Sequence, residues 1–259
     1  MFGISTYIAW RYLWAKQKEV FVTIINIFSI IGITLGVATL IIVMSVMNGY
    51  EYELMTKILQ FQGHINIINK EGSMNKYHGL ISTIRHNDNK KLINTMYPIL
   101  ESQAMIMSGK SFSGVVLKGL VLEDIEKKAS IPNLQIKDNQ VILGLALADR
   151  LAVNVGDKIK LVLPQTTSTI IGSIPRMKTY EVGALFDSGM YEYNSSIVLM
   201  PLQILQKLLD LDDQVTTVEI TALDIDNIGE IVSDLLTNLA GQYRIIDWQH
   251  NNKSFVEAL

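Results

Sequence analysis

Apolar and charged positions divide the chain into one unbroken apolar stretch and a long remainder of short apolar runs and polar turns. From Val20 to Tyr50 there is no Asp, Glu, Lys, Arg or His, and Phe21 to Met47 reads FVTIINIFSIIGITLGVATLIIVMSVM. At ~1.5 Å of rise per residue, about 25 residues of helix exceed the ~30 Å hydrocarbon core of a bilayer. A core helix of a soluble protein is shorter and polar along one side. A signal peptide ends its apolar run after ~7–15 residues at a small-residue cleavage site, which Met47-Asn48-Gly49-Tyr50 does not offer. The pattern predicts a retained transmembrane helix over 21–47. Helical spacing continues through Leu54, Ile58 and Leu59, so the helix is expected to run on to a stop at Gly63.

Beyond Gly63 the periodicity switches repeatedly between 2 and 3.6. Strands are expected at His64–Ile68, on both sides of a turn at Gly109-Lys110 within Met96–Gly119, at Val141–Leu143, Ile159–Leu163, Thr179–Phe186, Ser196–Met200, Val215–Ile220 and Tyr243–Asp247. Helices are expected at Tyr77–Arg85, Leu122–Lys128, Leu145–Leu151, from Pro201 to Leu209, and at Ile228–Leu239. Strands outnumber helices and the two do not alternate regularly. This is an α+β pattern rather than a doubly wound sheet. Phe255–Leu259 reads as an opening helix, and further membrane helices are expected to follow.

Charge orients the span. Arg11, Lys16 and Lys18 precede it, whereas Glu51, Glu53 and Lys57 follow. Lys and Arg are retained on the cytoplasmic side, so residues after Tyr50 are expected outside. Residues 1–20 mix Trp10, Tyr12 and Trp14 with those cations. They read as an amphipathic segment on the cytoplasmic leaflet or as a plain flank. Gly32 and Gly36 form a G-x-x-x-G, which lets a second helix approach closely.

Composition narrows the chemistry. The chain has 259 residues, a net charge of -3 and no cysteine. Disulfides and thiolate metal sites are thereby excluded, and the near-neutral charge argues against nucleic acid as a partner. The four histidines, His64, His78, His86 and His250, lack paired spacing, so no metal site is expected. Gly109-Lys110-Ser111 resembles the end of a phosphate-binding loop, but Ala104 stands where the first glycine belongs and a strand-like run follows. No nucleophile–base arrangement stands out, and Glu192 between Tyr191 and Tyr193 reads as a packed turn rather than an acid catalyst. A non-enzymatic chain without cofactors is expected.

The most distinctive stretch is Pro164 to Pro175, PQTTSTIIGSIP. It interrupts two alternating runs and reads as a long hairpin loop tipped by Thr169-Ile170-Ile171-Gly172. Adjacent isoleucines at an exposed tip need a cover, either a partner or the domain itself.

Three stretches carry a family resemblance: ITLGVATLIIVMSVMNGYEYEL at the span, ILGLALADRLAVNVGDKIKLVLP, and FDSGMYEYNSSIVLMPL. Together they resemble the permease subunits of lipoprotein-releasing ABC transporters, LolC, LolE and their hybrid LolF. The second stretch is shared more widely with MacB-like and FtsX-like permeases. The resemblance implies a multi-pass inner-membrane subunit with a MacB-like periplasmic domain over 48–259. Its porter-like α/β part is expected at about 48–119 and 216–250, and an inserted β-rich sabre part at about 120–215. The implied partners are a cytoplasmic ATPase dimer, a second permease subunit (identical or paralogous), membrane lipids, a triacylated lipoprotein and the periplasmic carrier LolA.

The resemblance also assigns sites. Pro164, Thr169, Ile170, Ile171, Gly172 and Pro175 would form a hook entering the carrier's apolar cavity. Lys160 and Lys178 would form its base, Met177 stands where relatives carry an amide, and Arg176 offers a substitute. Val43, Met44 and Met47 would line the lipoprotein cavity. A MacB-like efflux permease and an FtsX-like regulator of a cell-wall hydrolase stay open as alternatives.

Overall fold

The computed structural model describes residues 3, 4, 7, 8, 20–70, 72–88, 90–169, 172–239 and 241–251. The chain divides into two compact units, Met1–Met55 and Thr56–Leu259. Helix α1 (Val20–Gln62) supplies the described part of the first unit beyond residue 20. Its stretch Ile24–Tyr50, 27 residues, is long and apolar enough to cross a membrane. Every residue of that stretch is exposed.

In the second unit, α1 ends where Gly63 takes the left-handed conformation, φ 71°, and its N–H donates to the Leu59 carbonyl at 3.2 Å. Glycine is favoured at such a helix stop because it lacks a Cβ. Strand β1 (Ile65–Asn69) follows, then α2 (Tyr77–Asn87) and the 16-residue β2 (Ile93–Ser108). Near the end of the unit come β8 (Thr217–Ala222), α7 (Ile228–Asn238), β9 (Tyr243–Asp247) and α8 (Trp248–Asn251). The order β9-β1-β8-β2 is antiparallel throughout. With α2 and α7 this is a βαββαβ arrangement of the split βαβ kind. The helices bury Leu80 and Ile84 from α2, and Ile231 and Leu235 from α7. A cavity of about 140 Å³ lies between them.

The remaining strands sit between the second and third strands of that arrangement. They are β3 (Ser111–Leu120), β4 (Gln140–Gly144), β5 (Lys158–Thr169), β6 (Gly172–Phe186) and β7 (Ile197–Pro201), with helices α3 (Leu122–Ala129), α4 (Leu145–Leu151), α5 (Tyr191–Ser196) and α6 (Leu202–Leu209). Their pairings close with the second half of β2 into a ring, β2-β3-β7-β4-β6-β5. The closed order removes the two free edge strands that an open sheet of these strands would have. Strand β2 serves both parts: Ile93–Ile99 pairs with β8, and Leu100–Ser108 pairs with β3. Thr216 stitches the junction, donating N–H to the Ile99 carbonyl at 2.9 Å and accepting from Glu101 N–H through Oγ1 at 2.9 Å.

Two stretches differ from the sequence expectation. Tyr191–Ser196 forms α5 where only a turn was predicted. Its short span hides any helical period, and its anchor is a side chain: Asn194 accepts from Ser188 N–H at 2.8 Å and donates to Asp187 Oδ1 at 2.6 Å. A Cβ on Gly144 would meet the Asn194 carbonyl oxygen at 2.3 Å, so the approach of α5 to β4 requires glycine there. The second difference is Pro164–Pro175, described below.

The last turn of α1 is held in the main core of the second unit. Phe61 packs with Tyr97, Ile99, Leu120, Ile125 and Phe186, stacking on Phe186 at 5.6 Å and Tyr193 at 5.0 Å. Four charges are drawn into the same place. Lys128 ion-pairs with Glu219 and donates to the Phe61 carbonyl at 2.9 Å. Lys118 reaches Glu101 at 2.7 Å and Glu219 at 3.4 Å. Lys128 thereby caps the last turn of α1, where the helix dipole is negative. Burial pulls the Lys128 ammonium below its ordinary pKa. Burial presses on Lys118 in the same direction, but the carboxylates of Glu219 and Glu101 outweigh it and hold Lys118 raised.

Candidate functional site

Pro164–Pro175 is not a loop but a continuation of two strands. β5 and β6 pair through Thr166↔Pro175, Thr167↔Ile174, Ser168↔Ser173 and Thr169↔Gly172. Thr and Ile favour extended backbone. Pro164 lies where the register shifts between Val162 and Thr166, so its missing N–H costs no regular ladder bond, and Pro175, paired with Thr166, has no other described strand beside it, an edge position that proline tolerates. β5 pairs with β2 only at Lys160–Val162, and β4 covers β6 only from Glu181 onward. Among the described residues, 166–169 and 172–175 therefore pair only with each other, as a two-stranded ribbon leaving the ring. Ile170 and Ile171 lie outside the described residues.

The side chains expected at the base are spread around the foot of this ribbon. Lys160 and Lys178 are exposed, and Lys178 lies 5.2 Å from the Tyr180 ring centre. Arg176 is engaged elsewhere, donating to the Leu208 carbonyl at 2.9 Å and to Asp210 at 2.5 Å, where it closes the end of α6. Met177 is exposed.

On α1, Val43, Met44 and Met47 are exposed, and nothing lies within 4 Å of a Cβ placed on Gly32 or Gly36. Among the described residues no three His, Asp or Glu side chains gather as metal ligands.

The sequence profile of the MacB-like periplasmic core domain matches residues 27–237. The chain belongs to this family. Among curated proteins it is similar to lipoprotein-releasing system transmembrane protein LolC of Xylella fastidiosa, 30% identical over 99% of this chain and 63% of that protein. LolC of Neisseria meningitidis is 29% identical over 100% of this chain and 64% of its own length. LolE of Haemophilus influenzae is 32% identical over 83% of this chain and 54% of its own. The chain thus spans somewhat less than two thirds of the length of these relatives.

Within this MacB-like chain, sequence reasoning missed the buried charges at the end of α1. One signal was available. The Gly109-Lys110 turn fixes the β2–β3 register, and that register sets Glu101 opposite Lys118, a cross-strand ion pair. Glu219, more than a hundred residues away, has no such local signal.

Proposed function

We propose that this MacB-like chain belongs to an inner-membrane permease subunit that extracts lipoproteins and hands them to a periplasmic carrier. The carrying observation is the ribbon of β5 and β6, which leaves the ring with no neighbouring strand among the described residues and is described up to Thr169 and from Gly172. A two-stranded ribbon alone is marginal in water, and a carrier with an apolar cavity would cover it. Similarity to proteins named LolC and LolE supports the same reading. In this reading the βαββαβ part is the porter-like element, and the ring is the sabre-like insertion. We place the start of that insertion at Leu100, where β2 changes partners, rather than near residue 120. The N-terminus lies in the cytoplasm and the second unit in the periplasm. Gly32 and Gly36 pack against further membrane helices. Val43, Met44 and Met47 line the cavity that admits acyl chains, where flexible thioethers suit variable apolar ligands. A separate cytoplasmic ATPase dimer drives the cycle, a second permease subunit completes the membrane part, and LolA receives the lipoprotein.

The test is binding of LolA to the full chain in nanodiscs. Burial of each tip isoleucine contributes about 1.5–3 kcal/mol before ordering costs. Ile170→Asp with Ile171→Asp should abolish binding. Lys160→Glu with Lys178→Glu should slow association and flatten its salt dependence, because solvated charges act mainly on encounter. Wild-type binding by the tip variant would defeat the proposal and favour efflux or hydrolase regulation.

A further inference from the structure

We propose that the cavity between α2 and α7 is a binding site for a small amphiphilic amine, a primary ammonium carried on a single ring or a short branched chain. The site belongs to the four-stranded sheet and its helices, and it stands apart from the carrier reading above.

The cavity follows from the helical period. Ile231, Asp234, Leu235, Asn238 and Leu239 recur at i, i+3, i+4, i+7 and i+8 along α7 and its C-cap, and all of them border the cavity. One stripe of the helix thus forms a wall. Thr83, Ile84 and Asn87 of α2 form another, and Leu92 and Ile93 at the entry to β2 border it as well. Ile84, Ile231, Leu235 and Leu239 are buried, so the interior is apolar. Its volume of about 140 Å³ is close to the ~150 Å³ of an apolar cavity that stays dry and takes up benzene. That comparison sets the apolar part of the ligand at about one ring.

The rim is fixed and carries an excess of negative charge. Asp88 accepts from Leu92 N–H at 2.9 Å on one carboxylate oxygen and from Ile93 N–H at 3.2 Å on the other. These neutral donors hold the carboxylate in place without cancelling its charge. Among the described residues, the ionisable groups bordering the cavity are Asp88, Asp234 and Lys90. Lys90 is hydrogen-bonded to Glu230 in the first turn of α7. That bond, with the Asp234 charge farther off, raises the Lys90 pKa. Three carboxylates therefore accompany one ammonium, and Glu230 already holds it. An incoming cation reduces the excess, whereas an anion adds to it. Asn87 and Asn238, also at the border, bring amide oxygens that can accept from an ammonium. An apolar interior with a few fixed polar groups is the usual make-up of a small-molecule site. A bound amine ties α2 to α7 and stabilises the second unit by mass action.

The experiment uses the full chain in nanodiscs, with Ile and Leu methyl groups isotopically labelled for NMR. It is titrated at pH 7 with benzylamine, benzyl alcohol and benzoate as the cationic, neutral and anionic probes. Benzylamine should shift the methyl signals of Ile84, Ile231 and Leu235 saturably, and bind about fivefold more tightly than benzyl alcohol, as a partly solvated ion pair allows. Benzoate should not shift them. Asp234→Asn, at an exposed position, should weaken benzylamine about threefold and leave benzyl alcohol unchanged. Leu235→Phe fills the cavity and should abolish the response to both. Should Leu235→Phe fail to fold, the Asp234→Asn comparison decides. Equal affinity for benzylamine and benzyl alcohol overturns the proposal, as does a native response in Asp234→Asn. Shifts confined to methyl groups of α1 report partition into lipid and overturn it as well. Each of these failures leaves the lipoprotein-release reading standing, and failure of LolA to bind the chain leaves the cavity standing.

Discussion

The buried charges at the end of α1 make a quantitative prediction. Lys128 and Glu219 side chains are each 4% exposed. Glu219 holds Lys128 on one oxygen and Lys118 on the other, and Lys118 retains Glu101 as a second partner. Glu219→Leu leaves Lys128 with the Phe61 carbonyl and the face of the Tyr97 ring, 5.0 Å away, but no carboxylate. Removing one member of a buried pair costs about 3–5 kcal/mol. Lys128→Met is milder, because Glu219 keeps Lys118. What remains is the orphaned Phe61 carbonyl and half a lost pair, about 2–3 kcal/mol. The double variant removes both charges and leaves Lys118 paired to Glu101, so it should be less destabilised than Glu219→Leu alone. At about 2–4 °C per kcal/mol for a unit of this size, the expected order of falling Tm is native, Lys128→Met, Glu219→Leu, with the double variant above the last. Thermal unfolding can be followed by fluorescence of the buried Trp248, in a background with Trp10 and Trp14 replaced by Phe. Strict additivity of the two single losses would refute the pairing, as would a loss below about 1 kcal/mol for Glu219→Leu.

Two further outcomes are expected. Gly144→Ala should destabilise the second unit by about 2 kcal/mol or more, measured by thermal unfolding, because the methyl group meets the Asn194 backbone and neither can yield. His64 accepts from Ala222 N–H through Nδ1 at 3.0 Å, and burial lowers its pKa from 6.5. The unfolded chain therefore takes the proton first. The contribution of His64 is full above pH 6.5 and is lost as pH falls toward the lower folded value. Tm should drop from pH 7 to pH 5, and His64→Asn should flatten that slope.

Elements with a local period were legible. Leu145–Leu151 and Tyr243–Asp247 fall where the pattern places them, and the Gly109-Lys110 turn joins the two strands it was expected to join. What was not legible depends on distant pairing. β3 lies parallel to β7 and β4 parallel to β6, and no local pattern announces that these unions close a ring. Lys128 was expected only as the end of a short helix, and the structure places it on the buried side of α3 with Ile125 and Ala129. The stretch from Pro164 to Pro175 was read as a hairpin loop, whereas both strands continue through its prolines. A shift in register accommodates Pro164, and the local pattern does not reveal such a shift or the pairing beyond it.

The junction at Thr216 bears on how such a chain is put together. The polypeptide leaves the four-stranded sheet at Ile99 and returns at Thr217, and these two residues are register partners. The host sheet therefore meets its guest through a single doorway about one strand spacing wide, ~5 Å. A guest of any size with ends that close together fits the same doorway, from a two-residue turn to the ring present here. Lineages can exchange or enlarge the guest so long as it keeps basic partners for the buried Glu219 and a cover for Phe61. A chimera exchanging residues 100–216 between relatives is the natural unit of transplantation.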